Sequence, residues 1–225
     1  MKTGSRNLAT LLDRLEATYG QLGRPTLKTA LEWILWENVG YLIPDDRRQT
    51  AFLALRTQTG LSAGGILALS PDELQSLAKL GGMMPDKRVE KLLTIAQLVQ
   101  DEFGGKLEAV LKLPLAKARR ALKRFPGIAD PGADKILLFT KAYPIPALDS
   151  NGLRCLIRLG LVEEAKNYSA SYRNAIGLLA QETQTDFAWL TRAFTLLRKH
   201  GQVLCKNNDP KCDECLFQRE CPSAD

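Results

Sequence analysis

The chain has 225 residues, 45% hydrophobic and 25% charged, which is enough apolar material for one large globular domain or two small ones sharing an interface. Its net charge of +6 and pI near 9.1 suit a polyanionic partner, because lysine and arginine placed near phosphates release counterions, although a basic solvated surface has the same composition. No apolar run is long enough to span a bilayer and the opening MKTGSRNLATLLDRLEATYG holds no signal-peptide core, so a membrane or exported protein is not expected and a reduced cytoplasmic setting is.

In chain order the sequence shows helical periods and no convincing alternating strand, so the expected fold class is all-α. Leu8, Leu11, Leu12, Leu15 and Tyr19 form the stripe of a first amphipathic helix, Leu31, Ile34 and Leu35 mark a second, and Phe52, Leu53 and Leu55 a third. Ser70-Pro71-Asp72-Glu73 opens another with a cap, a first-turn proline and early acids. Gly81-Gly82-Met83-Met84-Pro85-Asp86 breaks the period before Val89, Leu92, Leu93 and Ile95 resume it. Further helices are predicted over 114–124, 131–142, 149–160, 168–181 and 186–200, divided by short glycine and proline punctuation, with no repeat, low-complexity tract or long linker.

Four of the five cysteines sit in the last tenth of the chain, as Cys205-x6-Cys212-x2-Cys215-x5-Cys221. Thiolates at short fixed spacings in one terminal loop suit a cubane iron–sulfur cluster, which takes one sulfur per iron. Structural zinc favours two tight pairs, whereas this run has one tight pair, two wider gaps and His200 outside it; zinc stays open as the alternative. Disulfides would need an oxidising compartment. Cys155, alone in the apolar run LRCLIRLG, reads as a small core hydrophobe.

Between two predicted helices lies Lys123-Arg124-Phe125-Pro126-Gly127-Ile128-Ala129-Asp130-Pro131. Pro126-Gly127 makes a tight turn, Asp130 can cap the next helix, and Pro131 fits its first position. Backbone N–H groups at such a helix–hairpin–helix can hold a DNA phosphate without reading sequence, while an ordinary αα-corner would use the same residues. After the second hairpin helix, Pro144-Ile145-Pro146-Ala147-Leu148-Asp149 brings a lone carboxylate to a helix start, either as a mere N-cap or as a carboxylate at the mouth of a cleft.

Hairpin, aspartate and cysteine loop together resemble the helix–hairpin–helix DNA glycosylases related to endonuclease III and the adenine glycosylases, over roughly residues 25–221. Phe125–Ala129 is similar to the family's Leu-Pro-Gly-Val-Gly, Leu197–Cys205 resembles its approach to the cluster, and the family's catalytic Asp falls on Asp149. The resemblance implies a two-lobed fold, with a middle lobe over 25–130 and a second lobe made from 1–24 plus 131–225. It also implies a [4Fe-4S] cluster on Cys205, Cys212, Cys215 and Cys221, and a monomer that flips one damaged or mispaired base out of double-stranded DNA into the groove between the lobes. Asp149 would then stabilise the cationic sugar or help activate water. Contacts to DNA would come from Gly127 and Ala129 in the hairpin, from Lys87 and Arg88 after the glycine turn, and from Asn151, which matches the Asp-x-Asn of the adenine-specific branch. Arg119-Arg120, Lys123-Arg124 and the loop residues Lys206, Lys211 and Arg219 offer further positive charge.

Several positions depart from the family pattern. Pro131 stands where strand-cutting members carry their Schiff-base lysine, so a monofunctional glycosylase is expected; Lys135, one turn on, is the only substitute for a lyase. Glu32 is placed like the catalytic acid of the adenine glycosylases, and burial beside Trp33 and Trp36 would raise its pKa for protonating a leaving purine; an exposed helix glutamate is the alternative. Trp36 and Tyr41 either stack on a flipped base or fill the core. Ala129 and Asp130 replace a glycine and an arginine, which weakens the hairpin's hold on phosphate and leaves a catalytically weak lesion-binding relative as the second reading. The sequence names no lesion.

Overall fold

A computed structural model of the chain describes residues 7–23, 25–181 and 186–224; the start of the segment read above for signal-peptide character, up to Arg6, lies outside them. The helices are α1 (Leu8–Tyr19), α2 (Ala30–Asn38), α3 (Asp45–Thr59), α4 (Ala63–Leu67), α5 (Pro71–Leu80), α6 (Pro85–Phe103), α7 (Glu108–Leu111), α8 (Leu115–Leu122), α9 (Asp130–Phe139), α10 (Ser150–Arg158), α11 (Tyr168–Ala180) and α12 (Phe187–Val203). No strand occurs among the described residues, and no helix there is long and apolar enough to cross a membrane. The fold is all-α, as the periods predict. Only α4 and α7 escape the sequence reading, because five and four residues are too few to display a period.

Helix starts fall where short polar side chains can take up orphan backbone N–H groups. Thr29 with Glu32 and Ser70 with Glu73 form reciprocal capping boxes at α2 and α5. Asn7, Asp149, Asn167 and Asp186 cap α1, α10, α11 and α12 through their side-chain oxygens. The expected cap at Asp130 is not used: α9 begins on Asp130 itself, its N-cap Ala129 makes no side-chain bond, and Asp130 pairs with Lys123 at 2.6 Å. Pro131 still sits in the first turn, where a missing N–H costs nothing.

The chain divides into two compact units, one running from Leu27 to Ala142 and the other formed by the segment up to Thr26 with Tyr143–Asp225. This moves α9 out of the lobe expected for it, since the boundary falls at 142 rather than 130. The physical reason is packing: the Trp33 ring of α2 stacks on Phe139 of α9 at 5.0 Å, and α9 buries Ile136, Leu137 and Leu138. Phe52, Leu55, Ile66, Leu92, Ile95, Leu122 and Phe125 complete the interior of the Leu27–Ala142 unit. In the other unit, Leu8, Leu12 and Leu15 of α1 close over Leu153, Cys155 and Leu156 of α10, over Leu196 and Leu197 of α12, and over Phe217 from the C-terminal loop. Cys155 is fully buried, the core position read from its surroundings.

Candidate functional site

In the Leu27–Ala142 unit, the hairpin between α8 and α9 turns on Gly127, whose φ of +71° favours glycine. Asn38, at the end of α2, holds the turn: its Nδ2 donates to the carbonyls of Ile34 at 2.9 Å and Pro126 at 2.8 Å. Gly127 and Ala129 are exposed, so their backbone faces solvent. A Cβ on Gly127 would come within 2.9 Å of Asn38 Oδ1. Gly127→Ala is therefore expected to cost about 2 kcal/mol, combining positive-φ strain with displacement of Asn38, measurable by urea denaturation.

Three of the four basic residues ahead of the hairpin are ion-paired within the protein, Lys123 and Arg124 on its surface, and Arg120 is exposed. Arg119 pairs with the buried Asp134 at 2.6 Å, Lys123 with Asp130, and Arg124 with Glu102. Arg88, expected on phosphate, is 4% exposed and donates to the carbonyls of Ala78 (2.6 Å), Gly82 (3.3 Å) and Met83 (2.9 Å). Its role is to knit the Gly81–Met84 turn, whereas neighbouring Lys87 is exposed. Gly81 is needed there because Val39's carbonyl passes 2.0 Å from where a Cβ would sit. Arg88→Ala would strand three carbonyls and is expected to lower stability by about 3 kcal/mol in thermal or urea unfolding. The turn and the end of α2 meet through Tyr41 N–H on Gly81 O at 3.2 Å, and together they expose Tyr41, Leu42, Met83 and Met84. Leu42, the most exposed of these at 76%, was not singled out by the sequence.

Glu32 is not buried between tryptophans. Its carboxylate accepts from the backbone N–H of Lys28 at 2.5 Å and of Thr29 at 3.4 Å, completing the α2 capping box. Trp36 is half-buried and packs edge-on against Phe52 with ring centroids 5.4 Å apart, while Tyr41 is exposed. Lys135 is nearly buried, ion-paired to Glu37 at 2.5 Å, with its ammonium 5.7 Å from the Trp33 ring centroid.

In the other unit, Asp149 closes the proline-rich loop and caps α10: Oδ1 accepts from Gly152 N–H at 2.9 Å. Oδ2 accepts from Asn151 Nδ2 at 3.1 Å and from Arg198 Nη1 at 2.7 Å. Asn151, half-buried, is thus engaged by neighbouring side chains through both ends of its amide. Its Oδ1 accepts from Arg154, whose guanidinium also donates to the backbone carbonyls of Gly201 and Cys205, both at 2.8 Å. A continuous path of hydrogen bonds therefore runs from Asp149 through Asn151 and Arg154 to the first cysteine of the loop. Tyr168, at the start of α11, lies close enough that its phenol is pushed up, first by burial and then by the Asp149 charge. Tyr168 and Arg198 were missed as site residues because only the tertiary fold brings them to Asp149, whereas Arg154 lies one turn along α10 from Asn151 and owes its importance to the distant carbonyls of Gly201 and Cys205.

Cys205, Cys212, Cys215 and Cys221 line one cavity of about 120 Å³ and are all free thiols. Among the described residues no three Cys, His, Asp or Glu side chains gather closely enough for a single metal ion. Four thiols spread around a shared cavity fit a cubane, whose thiolates sit one per iron at its corners. Cys205 is drawn down to about 6, first by a hydrogen bond with Cys155 and then, against burial, by the Arg158 guanidinium and the Arg154 charge. Burial pushes Cys215 up. His200, 1% exposed, bridges Tyr19 Oη (2.9 Å) to Cys215 Sγ (3.7 Å), and desolvation lowers its imidazole to about 4. Lys206, Lys211 and Arg219 are exposed on this loop, Lys211 paired to Glu214.

No protein-family model matches the chain. It is 30% identical over 156 residues to endonuclease III of Rickettsia conorii, a match spanning 69% of this chain and 67% of that one. It is 26% identical over 154 residues to a thymine-DNA glycosylase of Aeropyrum pernix, where 67% of this chain matches and 63% of the relative's length is spanned. Among solved structures, an endonuclease III trapped as a covalent intermediate with DNA superposes with a TM-score of 0.76 over 97% of each chain at 14% identity. With sequence shared over that length and the same arrangement of helices, the chain belongs to the endonuclease III-like family of helix–hairpin–helix DNA glycosylases.

Proposed function

We propose that the protein is a monofunctional DNA glycosylase of base excision repair, a cytoplasmic monomer that hydrolyses the N-glycosidic bond of a damaged or mispaired base in double-stranded DNA. The observation that carries this reading is Asp149: a partly buried carboxylate fixed by three hydrogen bonds, in a member of a glycosylase family, with proline at the family's lysine position. As the C1′–N bond breaks, the base leaves with the bonding electrons and the sugar becomes cationic. Asp149 stabilises that charge, and water adds to C1′ while the carboxylate accepts its proton. Lys135 is a poor lyase nucleophile because its amine is held by Glu37, and Glu32 serves the helix cap, so neither is assigned to the chemistry.

Binding draws on surfaces of each unit. The exposed Gly127 turn and Lys87 suit phosphate, and the apolar tips Leu42 and Met83 suit insertion between base steps. Cys205, Cys212, Cys215 and Cys221 would hold a [4Fe-4S] cluster, which when bound supplies four iron–thiolate links that tie the basic C-terminal loop to the body of its unit.

The test is incubation with duplexes carrying uracil, oxidised pyrimidines, alkylated purines and adenine opposite 8-oxoguanine, comparing strand breaks before and after alkali. Breaks that appear only after alkali support the reading. Breaks without alkali, trapped by borohydride and lost in Lys135→Ala, would replace it with a bifunctional enzyme; binding with no product on any lesion would leave a lesion-binding protein.

A further inference from the structure

The ion pair on Asp149 bears on how the proposed reaction is switched on. Arg198 Nη1 lies 2.7 Å from Asp149 Oδ2, with side-chain exposures of 27% and 15%. A guanidinium at hydrogen-bond distance cancels most of the field that the carboxylate would place on a sugar cation beyond it. Asn151 and the Gly152 N–H already hold the carboxylate in place, so positioning alone does not require the charge of Arg198. Any nucleotide whose C1′ reaches Asp149 carries phosphates only a few bonds away. An arginine fork beside the carboxylate therefore meets a phosphate whenever Asp149 meets its sugar, and phosphate is the anion that fork matches best.

We infer that Arg198 is a substrate-sensing positioning residue: it masks Asp149 in the free protein and transfers its guanidinium to a backbone phosphate when duplex DNA binds, unmasking the carboxylate beside the sugar. This deepens the glycosylase reading and rests on it for its purpose, though it is tested by binding alone. Masking would quieten the carboxylate until a nucleotide is fully seated.

The experiment is a double-mutant cycle of Asp149→Asn and Arg198→Ala, reading affinity for a duplex with an uncleavable tetrahydrofuran abasic site across a salt titration. Arg198→Ala is expected to weaken binding about tenfold and to reduce the log–log salt slope by roughly 0.9, the value of one lost phosphate contact. Asp149→Asn is expected to tighten binding severalfold when Arg198 is present, because no ion pair has to break, and to do nothing in the Arg198→Ala background. Arg198→Lys should restore the salt slope and part of the affinity, a rescue that a packing role would not give. Should Arg198→Ala fail to fold, Arg198→Gln, uncharged but of similar reach, carries the same cycle. An unchanged salt slope, or equal tightening by Asp149→Asn in both backgrounds as simple repulsion would produce, overturns the inference. Duplex binding without base release would remove the glycosylase reading and leave this result standing; base release with an unchanged slope would do the reverse.

Discussion

Replacing Asp149 with asparagine is expected to slow base release about 10³-fold while leaving folding intact and DNA binding undiminished. Asparagine is as good an N-cap as aspartate, so the bond to Gly152 N–H survives and α10 keeps its start. What disappears is the negative charge. At about 4 Å from a sugar cation and an effective dielectric near 20, that charge is worth about 4 kcal/mol, which corresponds to roughly three orders of magnitude in rate. The measurement is a single-turnover rate at saturating enzyme, so that any change in affinity drops out. Asp149→Ala should lose the same activity and about 1 kcal/mol of stability besides, because the cap goes too. Equal activity losses with stability loss in alanine alone would separate chemistry from capping.

Cys212→Ser is expected to turn a brown preparation colourless, removing broad thiolate-to-iron absorption near roughly 400 nm, and to destabilise its unit by at least about 3 kcal/mol. The loop is built of short turns, the 3-10 turn Cys212–Glu214 and the bonds of Gln218 N–H to Cys215 O and Cys221 N–H to Phe217 O among them. Its ties to the body of the unit are single contacts: Arg14 reaches Leu216 O and Glu220, Arg158 reaches Lys206 O and Asn207 O, Arg154 reaches Cys205 O, His200 meets Cys215 Sγ, and Phe217 is buried against the core. Loss of one iron ligand therefore loosens a segment held otherwise by single hydrogen bonds and one buried ring against its conformational entropy. Because Arg154 is anchored to Cys205 O, the disturbance should also reach Asn151 and Asp149, giving slower base release along with the lost colour. A colourless, zinc-loaded wild-type protein would refute the cluster assignment.

Features legible in the sequence were those written locally. The cap at Ser70, the Pro126-Gly127 turn and the amphipathic stripe of α1 each depend on residues within a few positions of one another, and all appear as read. The cysteine spacing is likewise local, and the four thiols do share one cavity. What the sequence misjudged was which partner each charged side chain takes, whether a nearby backbone group or a residue far along the chain. Arg88 looks like a surface cation beside Lys87, yet the carbonyls of the preceding turn claim it. Glu32 looks like an acid facing an aromatic pocket, yet backbone N–H groups one turn away compete for it first. Arg198 arrives at Asp149 from 49 positions on, through the packing of α12 on α10, and no periodicity announces such a meeting. The hairpin's second helix changed units for the same reason, since its buried face pairs with α2, about a hundred positions earlier, rather than with its sequence neighbour α10.

The central claim is hydrolytic release of an intact base, and the most direct measurement is mass spectrometry of the small molecules freed from lesion-bearing duplexes by the wild-type protein and by Asp149→Asn. The account predicts a free base from at least one lesion, an abasic site left in an unbroken strand, and neither with the variant. A free base released equally by both proteins, or a broken strand with the sugar joined to Lys135, would contradict it.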